Sequence, residues 1–170
     1  MGVLIMRKQF IPYSGYHRNT QLRDACIIWL STLESDLSLA LNFNRPISIS
    51  GARNRLKNWL ARVDRSFLGH EWHKKPSCER TSGVAIIENP RKNLHAHLLL
   101  KFPPKAAPLT RSERLDRLYD PWKTLEPQAQ FYSEPIWDVH GLANYDCKQL
   151  IRQGHLENCL ILFNEFHHFR

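Results

Sequence analysis

"SGVAIIENPRKNLHAHLLLKFPP", residues 82–104, sets two β-rich apolar runs, 83–88 and 94–102, on either side of the turn-forming "NPRKN". That is a hairpin pattern. Pro103, Pro104 and Pro108 end the second run. Alternate residues of a strand share a face, so His95 and His97 project side by side while Ala96 and Leu98 point to the opposite, core-facing side. Val or Ile would fill such positions more easily. Two imidazoles at this spacing can reach one cation without backbone distortion, although an H-x-H in an apolar strand also describes two half-buried, hydrogen-bonded histidines. If Glu88 pairs opposite His95 across the hairpin, its carboxylate joins both imidazoles on one face. An unpaired acid ending the apolar run "GVAII" would be costly to bury. The other placement leaves Glu88 solvated in the turn beside Arg91 or Lys92. His70 and His73 in "GHEWHKK" are rival ligands that nothing ties to the hairpin, and they read as surface residues.

Working outward, "TQLRDACIIWLSTLESDLSLAL" (20–41) has apolar residues at helical spacing and reads as one amphipathic helix. "GARNRLKNWLARVDRSFLG" (51–69) reads as a second, with Ser50 as N-cap and Gly69 just past its end. "TRSERLDRLYDPWKTL" (110–125) predicts a short helix stopped near Pro121. "SEPIWDVHG" predicts a strand at 136–139, "LANYDCKQLIRQG" (142–154) a helix, and "NCLILFNEF" (158–166) a last strand. Helices interleaved with a mostly antiparallel sheet make an α+β domain. At 170 residues, with 42% apolar and 24% charged content, the chain reads as one domain over 1–170.

No window approaches the run a transmembrane helix needs, and "MGVLIMRKQF" lacks the h-region and cleavage site of a signal peptide; the expectation is a cytoplasmic protein that does not engage membranes. Cys26, Cys78, Cys147 and Cys159 form no CxxC pair, which argues against zinc ribbons and redox sites and predicts packed, reduced thiols. Net charge is +8 with a pI near 9.6. Arg53, Arg55, Lys57, Arg62 and Arg65 on the second helix, then Lys74 and Lys75, with Arg91 and Lys92 at the hairpin tip, form candidate phosphate contacts. Trp72, among His70, His73, Lys74 and Lys75, could stack on an unpaired base or simply pack.

In "NYDCKQL", Tyr145 and Lys148 are three apart on the predicted helix and so share a face. With the histidine pair upstream, the chain resembles the HUH endonucleases, in particular the Rep-type rolling-circle initiators. "LALNFN" (39–44) is similar to their first motif, "LHAHLLL" (94–100) to the histidine–hydrophobic–histidine motif, and "YDCK" (145–148) to the Tyr-x-x-Lys motif, in the family's order. The resemblance implies a central antiparallel sheet of about five strands with flanking helices, a ferredoxin-like, RRM-related architecture with the histidine strand in the middle. It also implies a reaction: Tyr145 attacks a phosphodiester of single-stranded DNA at an origin or hairpin, leaving a 5′-phosphotyrosine and a 3′-OH. His95 and His97, with Glu88 as third ligand, hold Mg²⁺ or Mn²⁺ there, and Lys148 favours the phenolate. Position 149 is Gln, so the implied mechanism uses a single tyrosine. Relaxases keep theirs near the N-terminus, where Tyr13 and Tyr16 stand without a matching helix. No Gly-rich P-loop occurs, so a helicase would act in trans. Small insertion-sequence transposases share the order of motifs. Outside the family, a non-catalytic basic DNA-binding protein with structural histidines is the competing reading; a cupin would want a Glu soon after the histidines, which "LLLKFPP" lacks.

Overall fold

The computed structural model describes residues 15–88, 93–153 and 159–167, with the side chains of 15–19 and 148–153 left aside. Helix α1 (Gly15–Thr32) leads into strand β1 (Leu37–Asn42), then α2 (Ile49–Leu68), β2 (Ser82–Glu88), β3 (His95–Lys101), α3 (Arg111–Leu125), β4 (Phe131–Pro135), α4 (Val139–Gln153) and β5 (Leu160–Leu162). The five strands form one antiparallel sheet in the order β4-β1-β3-β2-β5, so the chain is α+β with the histidine strand at its centre.

The register sorts the side chains into two faces. Leu39 and Leu41 of β1, Ala85 and Ile87 of β2, and Ala96, Leu98 and Leu100 of β3 share one face, and all are buried. Phe43, just beyond β1 on that side, packs edge-on against Trp122 of α3, and Trp122 in turn against Trp59 of α2. Helices α2 and α3 therefore cover this face. Trp59 Nε1 donates to the Leu118 carbonyl at 2.9 Å, pinning the two helices together. The opposite face carries Val84, Ile86, Glu88, His95, His97 and Leu99. Helix α4 lies there against β2 and is packed along α1. Being covered on both sides, β2 is buried continuously from Val84 to Glu88, as a central strand should be.

Several boundaries differ from the sequence expectation. The helix expected over 20–41 ends at Thr32, and 37–42 is strand β1. Leu33 and Leu37 keep the helical spacing, but Leu37, Leu39 and Leu41 also alternate. Pairing with β3 and β4 decides for the strand, and Asp36 caps the entry by accepting from the Phe102 amide at 2.7 Å. The N-cap of α2 is Ser48 rather than Ser50; its hydroxyl accepts from the Gly51 amide. Gly69 ends that helix with φ 84°, as expected of a residue without a Cβ. Helix α3 runs through Pro121 to Leu125. The proline removes the donor that the Arg117 carbonyl would otherwise have, and Ser66 Oγ of α2 lies 3.4 Å from that oxygen. No strand forms at 136–139; it lies at 131–135, and α4 begins at Val139. The last strand is confined to 160–162, followed by a 3₁₀ turn over Phe163–Phe166 that buries both phenylalanines in the core. No disulfide links the cysteines; Cys78 is exposed, not packed, while the other three are buried. Among the described residues, no helix is long and apolar enough to cross a membrane.

Candidate metal centre and tyrosine

The hairpin register places Glu88 directly opposite His95, which rules out the solvated-turn alternative for this acid. Glu88 is 4% exposed, at the end of a strand whose other residues from Val84 are apolar. The ligand atoms of Glu88, His95 and His97 all lie within 4.8 Å of one another, the one such group among the described residues. His70 and His73 stand outside it. His95 Nε2 is 3.0 Å from Glu88 Oε2, and His97 Nε2 is 3.5 Å from the same oxygen.

The other nitrogen of each ring faces away from Glu88. Asn93 has φ 55°, a left-handed residue closing the turn, and its carbonyl lies 3.1 Å from His95 Nδ1. An acceptor at each nitrogen favours the protonated ring. Its pKa is raised by the hydrogen bond to Glu88, against the opposing effect of burial. Burial alone would push the Glu88 carboxyl up; the hydrogen bond with His95 and the nearby His97 ring outweigh it and hold the group at about 2.

His97 Nδ1 points toward α4, 3.7 Å from Asp146 Oδ1. Asp146 is wholly buried, and burial, reinforced by the charge of Glu88 and only partly offset by His97, pushes its carboxyl up to about 6. His97 Nε2 and both Asp146 oxygens are buried without a hydrogen-bond partner among the described residues. A buried imidazole nitrogen with no hydrogen-bond partner, beside a carboxylate, suits a cation ligand. Two nitrogens and one oxygen so close together could hold a metal ion.

Tyr145 precedes Asp146 and faces the other way, 56% exposed. Its ring lies edge-on to the His97 ring, centroids 5.8 Å apart. Helix α4 therefore presents Tyr145 to the solvent side of the histidine and the next residue, Asp146, to its buried side. The Lys148 side chain, Arg91, Lys92 and Tyr13 lie outside the described residues, as does the side chain of Tyr16.

The basic residues of α2 are not gathered here. That helix covers the sheet face opposite the histidines. Arg53 pairs with Glu165, and Arg55 shares the buried Glu126 with Arg45. Arg65 reaches His70, Lys57 is also engaged, and Arg62 is exposed. Lys74 and Lys75 form exposed pairs with Glu71 and Glu79. Trp72 is packed against the core, with the Arg80 guanidinium 4.8 Å above its ring. Arg80 is itself held in a buried pair with Asp64, so this indole face is taken.

Sequence reasoning missed Asp146 and Asn93. The first had a readable signal: an acid between Ala143 and Cys147, on the stripe that α4 buries. The second, an Asn closing a hairpin turn, signals a left-handed residue but not where its carbonyl points. Compared with known protein families, with curated proteins and with solved structures, the chain matches none.

Proposed function

We propose that this chain is a divalent-cation-dependent endonuclease that nicks and rejoins single-stranded DNA through a covalent 5′-phosphotyrosine at Tyr145, as in the initiation of rolling-circle replication. The observation that carries the reading is the contact of an exposed tyrosine with a histidine of a two-imidazole, one-carboxylate cluster. Phenols are common on helices; one placed against a candidate cation site is not.

His95, His97 and Glu88 would hold the cation. When bound, Mg²⁺ or Mn²⁺ supplies Lewis-acid polarisation of a phosphate oxygen and stabilises the charge that develops there. The chain's own residues do the rest. Tyr145 Oη forms the bond to phosphorus, the bond from phosphorus to O3′ breaks, and the phenolic proton is balanced by the proton the departing 3′-oxygen acquires. A free phenol has a pKa near 10, so the nucleophile needs cationic neighbours; the cation is one and Lys148, three residues along α4, the other. Because the phosphodiester is exchanged rather than hydrolysed, a later 3′-OH can reverse the step and join strands.

A strand seated at Tyr145 lies across the sheet from α2, so Arg62 and the rest of that helix would bind flanking DNA. A helicase acting in trans is the partner this scheme would use. The test is incubation with single-stranded oligonucleotides and Mn²⁺, read on a denaturing gel. A protein band carrying DNA, abolished by EDTA and by Tyr145→Phe, is expected. DNA binding with no adduct would make the chain a non-catalytic DNA-binding protein with structural histidines.

A further inference from the structure

Asp146 is fully buried between Ala143 and Cys147 and adjoins the exposed Tyr145. Its two oxygens have no hydrogen-bond partner among the described residues, and a buried acid without one is costly. Oδ1 lies 3.7 Å from Nδ1 of His97. The far nitrogen of that ring, Nε2, faces Glu88. His95 is arranged the same way: Nδ1 toward the Asn93 carbonyl, Nε2 toward Glu88. Both rings thus turn Nε2 to the cluster centre and Nδ1 to an acceptor behind it.

We propose that Asp146 is a positioning residue: it accepts the Nδ1 proton of His97, presents Nε2 to a divalent cation, and so couples cation binding to the placement of Tyr145. The proposal rests on the metal-centre reading above and concerns a residue that touches no substrate. A neutral imidazole carries one proton, and the nitrogen that keeps it decides which one ligates. With a cation drawn to the Glu88 side, an acid behind Nδ1 holds the proton there, orients the ring and raises its basicity. At 3.7 Å the pair is longer than a hydrogen bond. A cation held by Nε2 would make Nδ1–H a stronger donor and shorten this contact. Asp146 sits on α4, so closure draws that helix, and the tyrosine one residue before, toward the sheet. Asp146 cannot be a ligand of the same cation, because it meets the opposite edge of the ring from Glu88.

The test uses the full chain without DNA. Mn²⁺ titrated calorimetrically into the wild type, Asp146→Asn and Asp146→Leu should show one site. Affinity should fall about tenfold in the Asn variant, which keeps an acceptor without charge, and toward 100-fold in the Leu variant. Affinities within twofold of wild type would overturn the proposal and leave the metal centre standing; no Mn²⁺ binding by the wild type would take the metal centre down with it. Nitrogen-15 spectra of wild-type His97, assigned against His97→Gln, need no change at Asp146. At pH 8 with saturating Mg²⁺, a proton kept on Nδ1 and Nε2 as the ligating nitrogen are expected. The reverse tautomer contradicts the proposal even if both Asp146 variants fail to fold.

Discussion

Glu88 and Asp146 are two buried carboxylates beside the same histidine, and they respond to pH with opposite signs. Glu88, held at about 2 against an ordinary 4.5, contributes stability that is present above pH 4.5 and lost as pH falls through 2. Asp146, raised from 3.8 to about 6, contributes stability that is present below pH 3.8 and lost as pH rises through 6. Asp146→Asn should therefore make the ion-free protein more stable at pH 8, by on the order of 2–3 kcal/mol, and change it little at pH 4, in urea melts. Equal stabilisation at both pH values would contradict this sign. The raised pKa of His95 makes protons compete with the cation: Mn²⁺ affinity should drop up to tenfold per pH unit once pH falls below that value, and Glu88→Gln should relieve part of the drop while lowering affinity overall. At this scale the sequence was legible wherever strand geometry settles the answer. Alternation placed both histidines on one face, and hairpin pairing brought Glu88 opposite His95. Asp146 was not legible, because only the docking of α4 on the sheet decides which histidine edge an acid on that helix meets.

Among the elements, α3 carries a proline in its interior. Pro121 sits inside it and cannot donate to the Arg117 carbonyl, which the Ser66 hydroxyl approaches at 3.4 Å. Replacing it by Ala should raise stability by roughly 1 kcal/mol or more in thermal melts; a proline in a helix interior costs about 3 kcal/mol relative to Ala. A lower Tm would mean that the ring's packing outweighs the missing bond. Gly83 on β2 is the opposite case. Its φ is 143°, and a Cβ there would lie 2.1 Å from the Leu99 carbonyl oxygen of β3. Gly83→Ala should cost more than about 1 kcal/mol, and because β2 and β3 carry all three cluster residues it should weaken Mn²⁺ binding as well. Helix α2 was readable from its apolar stripe and its terminal glycine. The boundary at 33–36 was not: Leu33, Leu37 and Leu41 satisfy a helical period and Leu37, Leu39 and Leu41 a strand period, so only pairing across the sheet discriminates.

Across the whole molecule, the two sheet faces divide the work. One is the core beneath α2 and α3; the other carries the cluster with α4 and Tyr145 above it. Excess positive charge was legible in composition, but its distribution was not, because Arg53 and Arg55 are drawn into pairs with Glu165 and Glu126. Arg62→Ala should therefore lower single-stranded DNA affinity less than tenfold and reduce its salt dependence by about one phosphate contact, without changing the adduct yield at saturating DNA. A loss of adduct would mean that α2 shares the reacting strand after all. The central claim is tested most directly by digesting the protein after reaction with a single-stranded oligonucleotide and Mn²⁺ and locating the nucleotide by mass spectrometry. The account predicts a 5′-phosphoryl adduct on the Tyr145 peptide alone. Cleavage products with no protein attached, or an adduct on another tyrosine, would contradict it.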